Sequence, residues 1–201
     1  TTTTTDSTTG IFDTDAALFT FNPKEITVDN EDPGFRIIES NQKNKLQSLF
    51  KKESEDKYKH LNFWMPPSRW TATIGPNYYG DYINSAMYKK SGTGSNKAEW
   101  TTQIQIPGFY EVFVYTSELP MMGWWRRGGE EKKTQYYTVK HDDGEEEISV
   151  ETGRGRQGWM TLGSFYFSQG EAKITLSDKG SESNQIIFAD AVKWVYTNNN
   201  K

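Results

Sequence analysis

From Trp100 to Trp194 the chain repeats one pattern, in which apolar and polar residues alternate with a period of two. Successive side chains of a β-strand point to opposite faces of its sheet, so this alternation predicts strands that bury one face. Turn residues interrupt the pattern at regular intervals, at Pro107-Gly108, Asp143-Gly144 and Gln169-Gly170. Many short strands separated by such turns are typical of a β-sandwich or jelly roll. The sequence therefore predicts an all-β fold.

The same pattern predicts which strands are neighbours. Residues 100–106 and 110–114 flank Pro107-Gly108, and we expect them to pair as a hairpin with one buried face. A second hairpin is predicted for residues 137–140 and 148–150, because Asp143-Gly144 suits a tight turn. Further strands are expected at 25–30, 35–39, 159–167, 172–176 and 186–195, with Asp32-Pro33-Gly34 as a turn between the first two.

The first part of the chain divides into an arm and an insert. Residues 1–10 read TTTTTDSTTG, and Thr-rich sequence of this kind is typical of linkers. We interpret residues 1–22 as a Thr-rich linker or docking arm and residues 23–197 as one domain. Because the first residue is Thr and not Met, we expect the chain to be a processed product or a piece of a longer protein.

The insert, residues 41–69, is highly charged in its first part and does not show the alternation of the strands. Leu46, Leu49 and Phe50 lie at helical spacing within the highly charged stretch 41–60, so a short surface helix is predicted there. Pro66-Pro67 would end any helix before the next strand.

Charge and composition exclude several classes of function. The formal net charge is −4 and the pI is about 5.3, so the electrostatic driving force for nucleic-acid binding is missing. No apolar run approaches the length of a transmembrane helix. Cysteine is absent, which removes disulfides, thiolate nucleophiles and cysteine-based zinc sites.

Catalytic motifs are not recognisable in the sequence. The two histidines, His60 and His141, lie in a charged stretch and at a predicted hairpin, where a buried and oriented Ser-His-Asp arrangement is not expected. Residues 153–158 match the pattern G-x-G-x-x-G, but residues from Trp159 onward alternate as a strand. A dinucleotide site needs a helix at that point, so we interpret these glycines as a connection between strands. We therefore expect no catalytic residues.

Asp190 is the polar residue that fits its surroundings least. By the period of two it lies on the same face as Phe188, Val192 and Trp194. A carboxylate on an apolar face must be hydrogen-bonded, ion-paired or metal-bound. One interpretation is that it accepts backbone N–H groups. The other is a structural calcium ion held by Asp190 together with Asp29 or Asp32, since calcium prefers oxygen ligands.

Aromatic residues are the candidates for ligand contact, because flat rings stack on sugars and Arg pairs with acidic groups. Trp124, Trp125, Arg126 and Arg127 form a Gly-flanked segment that a core would not readily absorb, and they are the leading candidates. Tyr78, Tyr79 and Trp70 are second candidates. For these three residues packing in the core is the alternative, since Trp is highly buried on average.

The motifs taken in order resemble those of one known family. Residues 28–35 read VDNEDPGF, and the segments that follow in the same order are Trp70, 78–82 (YYGDY), 98–100 (AEW), 106–112 (IPGFYEV), 137–141 (YTVKH), Gly158-Trp159, Leu162-Gly163 and 188–192 (FADAV). Together they resemble the golvesin C-terminal-like domain, also called the xanthan-lyase carbohydrate-binding-like domain, from about Val28 to Val195. The insert 41–69 and the long stretch 119–133 depart from the family pattern.

The resemblance implies a jelly-roll β-sandwich that is appended to secreted bacterial enzymes and does not itself catalyse a reaction. We therefore expect a non-catalytic accessory module, extracellular or at the bacterial cell surface, that binds polysaccharide or cell-surface glycan. The alternative is a structural subunit of an outer-membrane or cell-surface assembly, which docks on a protein partner through the Thr-rich arm and the inserts. A lyase or hydrolase activity is the third hypothesis.

Overall fold

The computed structural model describes residues 22–40, 57–117, 133–153 and 155–197. These residues form twelve β-strands and no helix, so the fold is all-β, as the alternating pattern predicts. The strands are β1 (Glu25–Val28), β2 (Phe35–Ile38), β3 (Thr71–Ile74), β4 (Ser85–Lys90), β5 (Lys97–Ile104), β6 (Gly108–Thr116), β7 (Lys133–His141), β8 (Gly144–Thr152), β9 (Gly158–Phe167), β10 (Gly170–Gly180), β11 (Ile186–Ala189) and β12 (Val192–Thr197). No helix in this part of the chain could cross a membrane.

The strands assemble into three sheets with antiparallel pairing throughout their ladders. A four-stranded sheet has the order β1-β12-β6-β9, and a five-stranded sheet has the order β2-β5-β10-β7-β8. A smaller three-stranded sheet has the order β11-β4-β3. The four-stranded and five-stranded sheets are the two layers of a β-sandwich.

The main core lies between these two layers. Val112 and Trp194 enter it from the four-stranded sheet, and Trp100 and Ile174 enter it from the five-stranded sheet. Burial of such large apolar side chains stabilises a fold by roughly 1.5–3 kcal/mol each. A second, smaller core lies at the three-stranded sheet and consists of Tyr78, Ala86, Tyr88, Ile186 and Phe188.

The hairpin predicted around Pro107-Gly108 is wrong. β5 pairs with β2 and β10 in the five-stranded sheet, whereas β6 pairs with β12 and β9 in the four-stranded sheet. The turn therefore carries the chain from one layer to the other, and Gln169-Gly170 does the same between β9 and β10. Alternation identifies the buried face of each strand, but two strands facing one core show the same alternation whether they pair or oppose each other.

The single last strand predicted for residues 186–195 is also wrong, because it divides at Asp190-Ala191. β11 pairs with β4 in the three-stranded sheet, and β12 pairs with β1 and β6 in the four-stranded sheet. Between them the carbonyl oxygen of Asp190 accepts a hydrogen bond from the Trp100 Nε1–H at 3.1 Å. This side-chain donor satisfies the backbone at the point where the chain changes sheets.

The other strand predictions are confirmed where the structure describes them. β1 and β2 flank the turn at Asp32, and β7 and β8 form the predicted hairpin, with His141 opposite Gly144. Gly158 begins strand β9 and not a helix. The helix expected within residues 41–60 falls mainly on residues 41–56, which lie outside the described residues, as do residues 1–21. Tyr58 forms a parallel bridge to Ala72.

Candidate functional site

The outer face of the four-stranded sheet carries aromatic side chains. In β6, residues 110, 112, 114 and 116 are buried, while Phe109, Glu111, Phe113 and Tyr115 point the other way and remain partly or fully exposed. Trp159 of β9 stands directly opposite Tyr115 in the ladder. An aromatic row on the outward face is not needed for the core, so these positions are the first candidates for a binding surface.

Three of these rings form one group, the aromatic cluster, which consists of Tyr79, Tyr115 and Trp159. The ring centroids of Tyr115 and Trp159 are 5.3 Å apart with nearly perpendicular planes. Tyr79 lies 5.2 Å from Trp159 and 5.7 Å from Tyr115. Edge-to-face contacts at these separations are favourable and hold each ring in place. The cluster is therefore a preformed aromatic surface that is partly open to solvent.

A positive charge lies at the edge of the aromatic cluster. The ammonium of Lys193 is 4.6 Å from the Trp159 ring centroid and 5.6 Å from that of Phe113. Both distances are within the range of cation–π attraction. The same ammonium is 3.4 Å from a carboxylate oxygen of Glu25 on the neighbouring strand β1. The charge of Lys193 is thus partly neutralised within the protein.

Tyr79 belongs to the loop between β3 and β4, and hydrogen bonds from the core position it. Its backbone N–H donates to the Asp190 carboxylate, at 3.3 Å to Oδ1 and 3.2 Å to Oδ2. The carbonyl of Tyr79 accepts from the Ser85 N–H at 3.3 Å. Burial raises the pKa of the Tyr79 phenol, and the nearby Asp81 carboxylate raises it further, so the phenol is neutral at physiological pH.

Asp190 is buried and its carboxylate is occupied by protein donors. Besides the Tyr79 N–H, the Ser117 hydroxyl donates to Oδ2 at 3.0 Å. Burial raises the pKa of Asp190 well above its usual value, against the effect of these two donors, and Asp29 raises it further. This is the hydrogen-bonded arrangement that the first interpretation of Asp190 predicts.

Asp29 and Asp32 lie in the turn between β1 and β2. An Asp32 carboxylate oxygen accepts the backbone N–H of Asp29 at 2.8 Å, which closes the turn. Burial raises the pKa of Asp29 to about 7, opposed by the Asn30 N–H and increased by the charges of neighbouring acidic residues, Asp32 first. Within residues 22–40, 57–117, 133–153 and 155–197, no group of three or more His, Asp or Glu side chains is arranged to hold a metal ion.

The second candidates from the sequence are divided between core and surface. Trp70 and Tyr78 are only 8% and 5% exposed and belong to the two cores, so their rings are not available for stacking on a ligand. Tyr79 is partly exposed and belongs to the aromatic cluster. The leading candidates Trp124, Trp125, Arg126 and Arg127 lie outside the described residues.

Sequence reasoning missed Tyr115, Trp159, Phe113 and Lys193. Phe113 and Tyr115 could have been found, because they alternate with the buried Val112 and Val114 and so lie on the exposed face. Trp159 could not. Regular alternation over residues 159–167 would put Trp159 on the same face as the buried Phe165, but the ladder pairs Val112 with Gly163 and Phe113 with Thr161. Leu162 is an extra residue in a β-bulge, which reverses the phase of the strand.

The two histidines, His141 and His60, lie in different surroundings. The His141 ring packs 5.0 Å from the Phe165 ring. His60 is exposed, and its carbonyl accepts from the Tyr88 hydroxyl at 3.3 Å.

The family model for the golvesin C-terminal domain matches residues 59–196, which is more than half of the chain. The chain therefore belongs to the golvesin C-terminal domain family. The match begins after the turn at Asp32, so residues 28–35 of the sequence resemblance precede it. No curated protein matches the sequence.

Among solved structures, the chain is similar to a part of a Paenibacillus xanthan lyase. The TM-score is 0.59 at 20% sequence identity, and the alignment covers 87% of this chain and 13% of the lyase. The chain thus corresponds to a small fraction of that protein, and the similarity at this identity concerns the fold.

Two further solved structures show weaker similarity. A Podospora anserina GH26-CBM35 β-(1,4)-mannanase has a TM-score of 0.46 and 10% identity, over 90% of this chain and 29% of that one. A TmCBM61 structure in complex with β-1,4-galactotriose has a TM-score of 0.31 and 13% identity, over 85% and 83% of the two chains.

Proposed function

We propose that this chain is a non-catalytic accessory module that binds polysaccharide or cell-surface glycan. The observation that carries the proposal is the aromatic cluster of Tyr79, Tyr115 and Trp159, held in one geometry on the outer face of the four-stranded sheet. Membership of the golvesin C-terminal domain family supports it.

The physical basis is the match between aromatic rings and sugars. One face of a pyranose ring presents C–H groups, which stack on an aromatic face, while its hydroxyls need hydrogen-bonding partners. The rings of the cluster are already fixed by contacts with each other, so binding need not order flexible side chains, and this favours affinity. The Lys193 ammonium beside the Trp159 ring and the phenolic hydroxyls of Tyr79 and Tyr115 are hydrogen-bonding groups that suit sugar hydroxyls.

Trp124, Trp125, Arg126 and Arg127 remain part of the proposed binding surface. They follow Tyr115 in the sequence by fewer than 13 residues, and β6 ends at Thr116 next to the aromatic cluster. The proposal assigns them contacts with the same glycan, in which the Trp rings stack on sugars and the guanidinium groups donate hydrogen bonds to sugar hydroxyls.

In this proposal the module is one domain of a larger secreted protein. It would hold a secreted protein to its glycan at a bacterial surface or in the extracellular space, as the fold similarity to a small part of a xanthan lyase supports. Residues 23–197 would be the domain, with residues 1–22 as linker or docking arm and residues 41–69 as an insert. The layer-crossing turns at Pro107-Gly108 and Gln169-Gly170 support a jelly-roll arrangement of the sandwich.

Binding to a glycan array followed by affinity electrophoresis tests this function. We expect wild type to bind at least one glycan, and Trp159→Ala, Tyr115→Ala and the pair Trp124→Ala/Trp125→Ala each to weaken it. Trp64→Ala is the matched control, because Trp64 is 78% exposed and packs on Phe63, not on the aromatic cluster. Absence of binding by wild type, or equal binding by Trp159→Ala, would refute the proposal. A product assay on the bound glycan separates binding from lyase or hydrolase activity.

A second candidate function is docking on a protein in a cell-surface assembly. The observation in its favour is a set of highly exposed apolar side chains between β2 and β4, with Trp64 and Met65 at 78% and Tyr82 at 85%. Such residues are typical anchors of protein interfaces. The test is whether the chain co-purifies with the proteins of a cell-surface assembly. If Trp64→Ala abolishes this co-purification and leaves glycan binding intact, docking is favoured over the glycan-binding function.

Calcium binding by Asp29, Asp32 and Asp190 is kept as a proposal with a direct test. A bound ion predicts a higher melting temperature with calcium than with a chelator, and loss of that difference in Asp190→Asn. The hydrogen bonds from Tyr79 and Ser117 support the alternative, in which the two melting temperatures are equal.

A further inference from the structure

A second aromatic group lies on the same outer face as the aromatic cluster. Phe109 of β6 stands opposite Tyr166 of β9, and their ring centroids are 5.4 Å apart in an edge-to-face contact. The two residues are 44% and 37% exposed, which makes them the more accessible of the two aromatic groups. We call them the distal pair. They make no contribution to the core, since the neighbouring Tyr110, Phe165 and Phe167 fill it.

The distal pair and the aromatic cluster lie at opposite ends of one strand. Phe109 and Tyr115 are six residues apart in β6, and at about 3.4 Å per residue this separation is roughly 20 Å. Glu111 and Phe113 point outward between them. The face is therefore an aromatic track that follows β6, longer than one sugar ring requires.

The surface between the two aromatic groups includes polar side chains. Glu111 is flanked in the ladder by Ser164 on β9 and Val195 on β12. Carboxylate and hydroxyl groups at this spacing offer hydrogen bonds to the hydroxyls of a sugar chain. A protein partner would be better matched by a continuous apolar centre than by an aromatic track interrupted by a carboxylate.

The charges on this face disfavour an acidic polymer. The charged residues that point outward from its four strands are Glu25, Glu111 and Lys193. Lys193 is already 3.4 Å from Glu25, and the whole chain has a formal net charge of −4. On these four strands a polyanion would meet two carboxylates and one ammonium, whereas a neutral polymer would meet no net repulsion.

We propose that the outer face of the four-stranded sheet binds a neutral polysaccharide chain lengthwise along β6, with sugars on both the aromatic cluster and the distal pair. This inference rests on the proposed function and specifies its ligand class. Two aromatic groups roughly 20 Å apart contact several consecutive sugars, and neither group requires a chain terminus. The module thus binds internal stretches of polysaccharide and does not select chain ends.

The test begins with affinity electrophoresis against soluble β-1,4-galactan, xylan, galactomannan, β-glucan and dextran as neutral polymers, and against xanthan and polygalacturonate as acidic ones. Calorimetry with oligosaccharides of the best polymer then measures affinity against chain length. We expect neutral polymers to be preferred and affinity to increase with length until both aromatic groups are covered. Chemical reduction of the chain end should leave the affinity unchanged.

Variants at each end separate this inference from the proposed function. Phe109→Ala and Tyr166→Ala should weaken polymer binding about tenfold, as for the loss of one stacking contact, while Tyr166→Phe should bind like wild type. Thermal melting verifies that each variant is folded. If Trp159→Ala abolishes binding while Phe109→Ala and Tyr166→Ala leave it unchanged, the lengthwise track is refuted and the glycan-binding function stands. Preference for the acidic polymers would overturn the assignment of a neutral ligand. No binding to any polymer would refute both.

Discussion

The backbone N–H of Tyr79 donates to the carboxylate of Asp190 at 3.2 Å, so a residue of the exposed aromatic cluster is positioned by a buried acid. Asp190 lies where the chain passes from β11 in the three-stranded sheet to β12 in the four-stranded sheet. The same carboxylate accepts from the Ser117 hydroxyl just after β6. One residue thus links the change of sheet in the sandwich to the geometry of the candidate binding surface.

Asp190→Ala should destabilise the protein by about 2 kcal/mol, because it leaves the donors of Tyr79 and Ser117 without a partner. Asp190→Asn should lose less stability than Asp190→Ala, because the Asn amide oxygen still accepts hydrogen bonds and the buried side chain is neutral. Urea unfolding followed by tryptophan fluorescence measures both. Equal losses in the two variants would show that the hydrogen bonds do not hold the loop. Asp143→Ala, in the exposed β7–β8 turn, is the control.

Asp29 should make the protein less stable as the pH rises. Burial raises its pKa in the folded state to about 7, whereas in the unfolded chain it is about 3.9. The folded state therefore holds the proton more tightly, and the contribution of Asp29 to stability is complete below pH about 4 and lost as the pH rises through 7.

Other groups also make the stability depend on pH. The raised pKa of Asp190 lowers stability as the pH rises, as for Asp29, whereas the lowered pKa of Asp178 has the opposite effect. The variant Asp29→Asn isolates the contribution of Asp29. We expect wild type to lose stability relative to Asp29→Asn between pH 4 and pH 8, as measured by urea unfolding at each pH. A stability difference that is independent of pH would contradict the assigned pKa.

Lys89 and Asp178 form a buried ion pair between β4 and β10, and both are almost inaccessible to solvent. Burial alone would raise the pKa of Asp178, but hydrogen bonds from Lys89 and Asn96 hold it below its usual value. Lys89→Met should destabilise the protein by about 3–5 kcal/mol, because it leaves the Asp178 charge buried without its partner.

The matched control for Lys89→Met is Arg36→Met. Arg36 pairs with the buried Glu99, but the Arg36 side chain is 62% exposed and Glu99 keeps Lys173 at 3.5 Å, so we expect a smaller loss than for Lys89→Met. Unfolding by guanidinium chloride measures both variants. If Lys89→Met were as mild as Arg36→Met, the buried pair would contribute little to the link between the two sheets.

Gly80, which follows Tyr79, should not tolerate a side chain. Its φ is +150°, and a Cβ there would lie 2.0 Å from the carbonyl oxygen of Ile83. Gly80→Ala should therefore destabilise the protein and also weaken glycan binding, because the backbone that carries the Tyr79 ring must move.

Gly144→Ala is the control for Gly80→Ala. Gly144 has a φ of +128°, but a Cβ would meet no atom within 4 Å, so this variant isolates the strain of the backbone, about 1–2 kcal/mol. Melting temperature and affinity are measured for both. A Gly80→Ala protein with the stability and affinity of Gly144→Ala would show that the contact with Ile83 does not constrain the loop.

Much of the fold could be predicted from residues that interact locally. Val112 and Val114 alternate with Phe113 and Tyr115, which identifies the buried face of β6 without any knowledge of its partners. The β7–β8 hairpin could be predicted for the same reason, since its turn and both strands are contiguous in the chain. The candidate site was reached only in part, through Tyr79.

Although β3, β4 and the bounds of several strands were not predicted, the sequence alone establishes that the chain is all-β, where most strands lie, and that Asp190 needs a partner on an apolar face. These properties depend on the side-chain period and on the chemistry of single residues. The tertiary structure was needed to show which distant strands pair, that β5 and β6 lie in different layers, and that Asp190 separates β11 from β12. The tertiary structure also brings Tyr79, Tyr115 and Trp159 together from three distant segments. The register of the β6–β9 ladder and the bulge at Leu162 determine that Trp159 lies beside Tyr115. Local alternation encodes neither the register nor the bulge.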